Sequence, residues 1–288
     1  MEILDGKLMS AAVETELKTR VDALRARGVV PGLQVILVGG DPASQLYVGN
    51  KEKACERLGL YSKTLRLPED TTQEQLEQAI QKANDNPAIH GLLVQMPLPE
   101  HLNSARALEL IRPDKDADGF HNVSVGKLLR GEPGPVACTP RGVMVMLKNA
   151  GINVAGMDAV VVGRSNIVGK PMAVLLLNAN ATVTICHSKT KDLAAHTRRA
   201  DLLVAAIGKP KFITADMVKE GAVVIDVGVN RIGVTPEGKA KLCGDVDFEG
   251  VKEKASVITP VPGGVGPMTI TMLMQNTLKA AQLAAKGK

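Results

Sequence analysis

The chain has 288 residues, of which 45% are hydrophobic and 23% are charged, and this length suggests two domains or one large domain. The balance excludes collagen-like, disordered and coiled-coil chains, and no apolar run approaches the ~20 residues of a membrane span. The net charge of +5 is mild, and three Phe, two Tyr and no Trp are few aromatic residues for a single-strand nucleic-acid binder. We therefore expect no nucleic-acid partner.

The cysteines and the N-terminus bear on the cellular compartment. Four cysteines, at positions 55, 138, 186 and 243, match no zinc-binding spacing and are too few for a disulfide framework in a chain of this length. The first residues lack the basic segment and apolar core of a signal peptide. We expect reduced, buried cysteines, no metal, no membrane contact and a soluble cytoplasmic protein.

The first hundred residues alternate between helical periodicity and short apolar runs. Asp41 followed by Pro42, and Thr72 followed three residues later by Gln75, have the chemistry of helix starts. The predicted elements are helices over 7–27, 41–58 and 72–84, and strands over 33–38, 61–67 and 89–95. Strands that alternate with helices in this way predict a parallel α/β domain.

A second alternating array follows a stretch rich in proline and glycine, 112–137, which we interpret as the interdomain region. Its predicted elements are a helix over 139–147, strands near 159–162, 182–186, 202–206 and 223–227, and a final helix over 268–285. This spacing is typical of a Rossmann-like, doubly wound parallel sheet. The sequence thus predicts an α/β protein of two domains with a cleft between them. Their predicted bounds are 1–139, completed by the C-terminal helix 268–288, and 140–267.

The most informative local pattern surrounds Gly163, where a buried strand enters a tight turn and then a helix. Such a turn aims backbone N–H groups and the positive helix end at a phosphate. The pattern departs from G-x-G-x-x-G, since Ser165 replaces the second glycine and the third lies one place later, at Gly169. The alternative is a glycine turn that only joins a strand to a helix.

The end of the next strand distinguishes between nicotinamide cofactors. An NAD site places a carboxylate there for the ribose hydroxyls, whereas a 2′-phosphate requires cationic and hydroxyl donors. Here the strand ends in His187-Ser188-Lys189-Thr190 without a carboxylate, and Arg164 lies in the phosphate turn. NADP is therefore favoured, the alternative being that His187 and Lys189 are ordinary solvated loop residues.

Polar side chains of the first domain form a second candidate constellation. Tyr47 and Lys51 are four residues apart and share a helix face, and Gln95 closes an apolar strand at its carboxyl end. Asp116 and Asp118 follow in the predicted interdomain region, where a cleft wall is expected. By themselves these residues also fit a solvated helix face and a turn.

Five segments together resemble one enzyme family. They are 42–51 (PASQLYVGNK), 94–99 (VQMPLP), 113–120 (PDKDADGF), 163–165 (GRS) and 260–269 (PVPGGVGPMT). The resemblance is to methylenetetrahydrofolate dehydrogenase/methenyltetrahydrofolate cyclohydrolase, and it covers essentially the whole chain in order. Ala137, where a proline is common, and Val229, where an isoleucine is common, are small departures that do not touch the chemistry.

The resemblance implies roles for particular residues. Lys51 is expected as the catalytic amine, with Gln95 bonded to it, and Tyr47 is expected to pack on the folate ring. Asp118 completes this catalytic set, because a carboxylate can accept two adjacent N–H groups of a pterin edge. Further substrate contacts are implied at Pro262, Gly263, Gly264 and Gly266. Cofactor contacts are implied at Gly163, Arg164, Ser165, Ser188 and Val229.

The resemblance also implies the function. A folate-binding catalytic N-terminal domain and an NADP-binding domain would oxidise 5,10-methylenetetrahydrofolate to 5,10-methenyltetrahydrofolate, which is then hydrolysed to 10-formyltetrahydrofolate. The family is typically homodimeric. The alternatives are a dehydrogenase that has lost the hydrolytic step, and a non-catalytic regulatory protein that binds NADP. The intact set of Tyr47, Lys51, Gln95 and Asp118 argues against the regulatory protein.

Overall fold

The computed structural model describes residues 1–234 and 240–286. The chain divides into two compact units. The six-stranded unit comprises Met1–Ala11 with Ala137–Thr269, and the three-stranded unit comprises Ala12–Val136 with the C-terminal residues from Ile270. Residues 235–239, within the predicted second domain, and 287–288, in the predicted last helix, lie outside the described residues.

The first half of the chain carries three strands of one sheet and the helices that alternate with them. In chain order its elements are β1 (Glu2–Ile3), α1 (Gly6–Arg25), β2 (Gly32–Val38), α2 (Pro42–Leu58), β3 (Tyr61–Leu67), α3 (Gln73–Asp85), β4 (Gly91–Val94), α4 (Ser104–Leu110) and α5 (Asn122–Leu129). The sheet of the three-stranded unit has the order β3-β2-β4, and all its pairs are parallel. β2 is buried along its whole length, because both of its edges are paired and helices cover its faces.

The second half carries the larger sheet. In chain order its elements are α6 (Cys138–Asn149), β5 (Asp158–Val162), α7 (Gly169–Asn178), β6 (Thr182–Cys186), α8 (Leu193–Thr197), β7 (Leu202–Ala205), β8 (Val223–Asp226), β9 (Asn230–Val234), β10 (Ala240–Cys243), α9 (Phe248–Val251), β11 (Val257–Ile258) and α10 (Val265–Lys286). The six-stranded sheet has the order β1-β11-β8-β7-β5-β6 and is parallel throughout. β9 and β10 form a separate antiparallel ribbon. The two-domain α/β fold with a Rossmann-like parallel sheet is thus confirmed.

The N-terminal residues differ from the prediction. β1 pairs in parallel with β11, with Glu2 opposite Val257 and Ile3 opposite Ile258, so Met1–Ala11 belong to the six-stranded unit rather than to the unit that holds β2. A strand of two residues has no periodicity that sequence reasoning can detect. The ribbon β9–β10, β11 and α4 were likewise not predicted.

The stretch 112–137 is not only the loop that its composition predicted. It contains α5, and residues up to 136 belong to the three-stranded unit. His121 begins this helix, because its Nδ1 accepts a hydrogen bond from the Val123 N–H at 3.0 Å. The Asn276 side chain also donates to the Ala117 and Val136 carbonyl oxygens, at 2.9 and 3.0 Å. These long-range contacts hold a segment whose proline and glycine content indicated a loop.

Candidate active site and cofactor turn

Helix α2, which carries Tyr47 and Lys51, is capped at both ends by its own residues. The Asp41 carboxylate accepts a hydrogen bond from the Ser44 N–H at 2.8 Å. Gly59 ends the helix in the left-handed conformation, with φ 78°. Tyr47, at 42% exposure, and Lys51 lie one turn apart on this helix.

Lys51 is hydrogen-bonded to a residue at the carboxyl end of strand β4. Its Nζ donates a hydrogen bond to Gln95 Oε1 at 2.8 Å, which is the contact that the resemblance implies. Gln95 lies just after β4, and its backbone N–H bonds Ile36 O of the central strand at 2.8 Å. The Gln95 amide also donates to Met96 O at 2.7 Å, so its carbonyl oxygen is oriented toward the lysine.

Asp116 and Asp118 differ in their surroundings. The Asp116 carboxylate accepts three backbone N–H groups, those of the three residues 119–121, at 2.9 to 3.2 Å, and therefore shapes the turn. Asp118 is partly buried, and within the described part of the chain its carboxyl group has no hydrogen-bond partner. Desolvation raises the pKa of Asp118, while the Lys51 charge lowers it and the Asp116 charge raises it. A carboxyl group beside Lys51 is thus available to a ligand.

The turn after β5 has the close packing of a dinucleotide-binding turn. Gly163 adopts φ 134°, and a Cβ there would overlap the Ala206 carbonyl oxygen. A Cβ on Gly169 would overlap the Gly163 carbonyl oxygen, so the displaced third glycine still lets the helix pack against the strand. Ser165 Oγ accepts the N–H groups of Val168 and Gly169 at 3.1 and 3.3 Å, which orders the start of α7.

The order of the large sheet places this turn at a topological switch point. The chain goes from β5 to β6 on one side and later returns to β7 on the other. Ligands of open α/β sheets bind outside the carboxyl ends of the strands at such a point. The Gly163 N–H bonds the Cys186 carbonyl oxygen at 2.8 Å, so the loop that carries Ser188 adjoins the turn. Arg164 and Ser188 are exposed there, and Val229, at 47% exposure, follows β8 along the same edge.

The proline-glycine segment lies in the six-stranded unit, at the start of α10, whereas Tyr47, Lys51, Gln95 and Asp118 lie in the three-stranded unit. The Gly264 N–H bonds the Pro260 carbonyl oxygen at 2.9 Å. A Cβ on Gly6 would overlap the Gly264 carbonyl oxygen, so that turn is closely packed. The four implied substrate residues of the segment are Pro262, Gly263, Gly264 and Gly266.

Sequence reasoning missed two buried carboxylates in the six-stranded unit. Asp226 is 3% exposed and Asp245 is fully buried. The signal that could have revealed Asp226 is an acidic residue at the end of the otherwise apolar strand Val223–Asp226. Among the described residues, no group of three His, Cys, Asp or Glu side chains could hold a metal ion. In the same part of the chain, no helix is long and apolar enough to cross a membrane.

A parallel sheet with a glycine turn at its switch point, together with a Lys-Gln-Asp cluster on a second α/β unit, is the arrangement of a two-domain α/β protein that binds a nucleotide. Residues 137–285 match the family model described as tetrahydrofolate dehydrogenase/cyclohydrolase, NAD(P)-binding domain. Residues 4–118 match its catalytic domain. The chain belongs to the tetrahydrofolate dehydrogenase/cyclohydrolase family, which confirms the resemblance found in the sequence.

Relatives match over nearly the full chain. Bifunctional protein FolD 2 of Geobacter sulfurreducens is 55% identical over 99% of this chain and 98% of its own. The solved bifunctional FolD enzyme of Campylobacter jejuni has a TM-score of 0.94 at 51% identity, covering 98% of this chain and 99% of its own. The Trypanosoma brucei FolD structure, complexed with NADP cofactor and inhibitor, has a TM-score of 0.94 at 40% identity, covering 99% and 98%.

Proposed function

We infer that the chain catalyses two successive reactions of one-carbon metabolism. It oxidises 5,10-methylenetetrahydrofolate with NADP to 5,10-methenyltetrahydrofolate, and it hydrolyses that product to 10-formyltetrahydrofolate. The observation that carries this inference is the Lys51–Gln95 hydrogen bond together with the Asp118 carboxyl group, whose pKa the Lys51 charge lowers. The family match and the glycine turn at the switch point support the cofactor.

The cofactor turn fits a dinucleotide, because side chains at Gly163 and Gly169 would fill the space in which strand, turn and helix approach one another. When bound, NADP supplies the hydride acceptor of the oxidation. We propose that Gly163 and Ser165 hold the pyrophosphate through the turn and the start of α7. Arg164 and Ser188 are proposed to bind the 2′-phosphate, and Val229 to line the nicotinamide side.

In the oxidation, hydride loss from the methylene carbon leaves a cation delocalised over two nitrogen atoms, so no proton is abstracted at that carbon. The contribution of this chain is therefore orientation of the folate. Asp118 is proposed to accept the pterin N–H groups, and Tyr47 to provide an aromatic surface for the flat ring. Lys51, held by Gln95, is proposed to face the reacting carbon.

The hydrolysis has different needs, because water must lose a proton as it attacks the cation and a ring nitrogen must later gain one. Lys51 is the proposed acid–base group for both transfers, and Gln95 keeps its amine in place. General acid–base assistance typically contributes about 10²–10⁴-fold. The two reactions should therefore differ in their dependence on the amine.

Replacing Lys51 by Met tests this assignment. We expect cyclohydrolase activity to fall by roughly 10²-fold or more, and dehydrogenase activity to fall less, when methenyl- and methylenetetrahydrofolate are supplied separately. Lys53→Met is the matched control, because Lys53 is exposed on the same helix and should change neither activity. Parallel loss of both activities would recast Lys51 as a binding residue only. Dehydrogenase activity without measurable wild-type cyclohydrolase activity would favour a monofunctional enzyme.

We further propose a cytoplasmic homodimer without a nucleic-acid partner. The edge strand β6 supports the dimer, because its outer side is unpaired in the described sheet and Leu177 and Ile185 beside it are 57% and 43% exposed. Four buried cysteines fit a reducing compartment. Light scattering should give twice the 30.4 kDa of one chain. A mass of one chain would contradict the dimer.

A further inference from the structure

Asp245 is fully buried between β10 and α9 and accepts four hydrogen bonds. Three come from consecutive backbone N–H groups, those of Ile207 at 2.7 Å and of Gly208 and Lys209 at 2.9 Å. The fourth comes from the Asn230 side-chain amide at 2.9 Å. Four donors fill the acceptor positions of an ionised carboxylate, so an amide at this position could not replace it.

Asp226, at the end of β8, holds Asp245 in turn. Its carboxyl oxygens accept the backbone N–H groups of Gly228, Asp245 and Val246, each at 2.9 Å. Glycines allow both approaches, because a Cβ on Gly228 would overlap the Asp245 carboxylate and one on Gly244 would overlap that of Asp226. Backbone donors and glycines at both positions thus accommodate the two buried carboxyl groups.

The groups that these carboxylates hold belong to the cofactor edge of the sheet. Residues 207–209 follow β7, directly after Ala206, whose carbonyl oxygen lies against Gly163. They therefore form the side of the switch-point crevice opposite the glycine turn. Both sequence neighbours of Val229 are hydrogen-bonded to these carboxylates: the Gly228 N–H donates to Asp226, and the Asn230 side-chain amide donates to Asp245.

We propose that Asp245, supported by Asp226, is a positioning residue for NADP binding. Asp245 fixes the loop after β7 and the Val229 segment in the geometry that the dinucleotide meets. The proposal rests on the proposed function, since it takes this crevice as the cofactor site. A loop with three unpaired N–H groups would have to be ordered when the ligand binds, and that ordering would weaken binding. Asp245 touches no substrate in this scheme and acts through the loops.

The test is titration of NADP onto purified Asp245→Asn, with kinetics of both activities. The new amide faces N–H donors, so we expect the NADP Kd to rise roughly tenfold or more. Cyclohydrolase activity needs no cofactor and should stay within about twofold. Dehydrogenase kcat at saturating NADP should fall less than kcat/KM for NADP, a split that general loss of folded enzyme would not produce.

Two further variants sharpen the result. Asp201→Asn is the matched control, because Asp201 bonds the Asp158 N–H at 2.9 Å at the amino end of β7, away from the cofactor edge, and should leave the NADP Kd unchanged. Asn230→Ala removes one donor and leaves Asp245 in place, so it should raise the Kd by a smaller factor even if Asp245→Asn fails to fold. An unchanged Kd in Asn230→Ala, or in Asp245→Asn that folds, would overturn the proposal. Absence of NADP binding by the wild-type chain would instead overturn the proposed function and the inference with it.

Discussion

Among single residues, Asp116 and Asp118 are two positions apart and yet have different environments. Asp116 is saturated by backbone N–H groups, while Asp118 has a raised pKa and lies near Lys51. We predict that Asp118→Ala weakens folate binding in both reactions and leaves NADP affinity nearly unchanged. Isothermal titration checks this, with Asp114→Ala, an exposed residue paired with Arg112, as the control. A lower melting temperature with normal folate affinity would contradict this prediction and would show that Asp118 only stabilises a turn.

The sequence predicts that Arg164 determines the preference for NADP over NAD. It is exposed in the turn after Gly163, and β6 beside it ends without a carboxylate. We predict that Arg164→Ala raises the Michaelis constant for NADP roughly tenfold or more, because a charge-assisted phosphate contact is worth about 1.5–3 kcal/mol, and raises that for NAD far less. Parallel kinetics with the two cofactors measure the difference, with Arg198→Ala as the control. Equal effects on both cofactors would remove Arg164 from the 2′-phosphate site.

Among the elements, the junction of β5 and α7 depends on the absence of side chains. A Cβ on Gly169 would meet backbone atoms of Gly163 and Arg164, which cannot move without displacing the strand. We predict that Gly169→Ala lowers NADP affinity and the melting temperature together. A Cβ on Gly126, in helix α5, would meet no atom within 4 Å. Gly126→Ala should therefore raise the free energy of unfolding slightly, by about 0.5–1 kcal/mol. Calorimetry and cofactor titration distinguish the two, and wild-type NADP affinity in Gly169→Ala would contradict the prediction.

For the whole molecule, buried carboxyl groups set part of the pH dependence of stability. The pKa of Asp226 is raised to about 7, because desolvation and, to a smaller extent, the Asp245 charge outweigh the three backbone N–H groups that donate to Asp226. Cys243 is a further titratable group that interacts electrostatically with Asp226. The folded chain therefore binds this proton more tightly than the unfolded chain does. The resulting stabilisation is complete below about pH 4 and is lost as the pH rises to about 7.

We predict that wild type loses free energy of unfolding relative to Asp226→Asn across this range, by up to ~1.4 kcal/mol per pH unit. Calorimetric melting of both proteins between pH 5 and 8 measures the difference. A difference that stays constant with pH would contradict the raised pKa, whatever the absolute stability of the variant.

The candidate site illustrates the reach of sequence reasoning. The common face of Tyr47 and Lys51 follows from helical spacing alone, and the glycine turn follows from a strand, a turn and a helix that are contiguous in the chain. The contact of Lys51 with Gln95 joins residues 44 positions apart, and only the family resemblance implied it. The assigned roles remain predictions for the variants above.

By itself, the sequence determined the alternation of helices and strands, the two-domain α/β class and the glycine turn after β5, because each depends on residues near one another in the chain. Only the tertiary structure decided that β1 joins β11, that a helix forms within 112–137, and that Asp245 holds a loop 38 residues away. A two-residue strand carries no periodicity, and the donors that satisfy the buried Asp245 carboxylate come from segments distant in the sequence. Those partners are brought together by folding and leave no pattern in the local sequence.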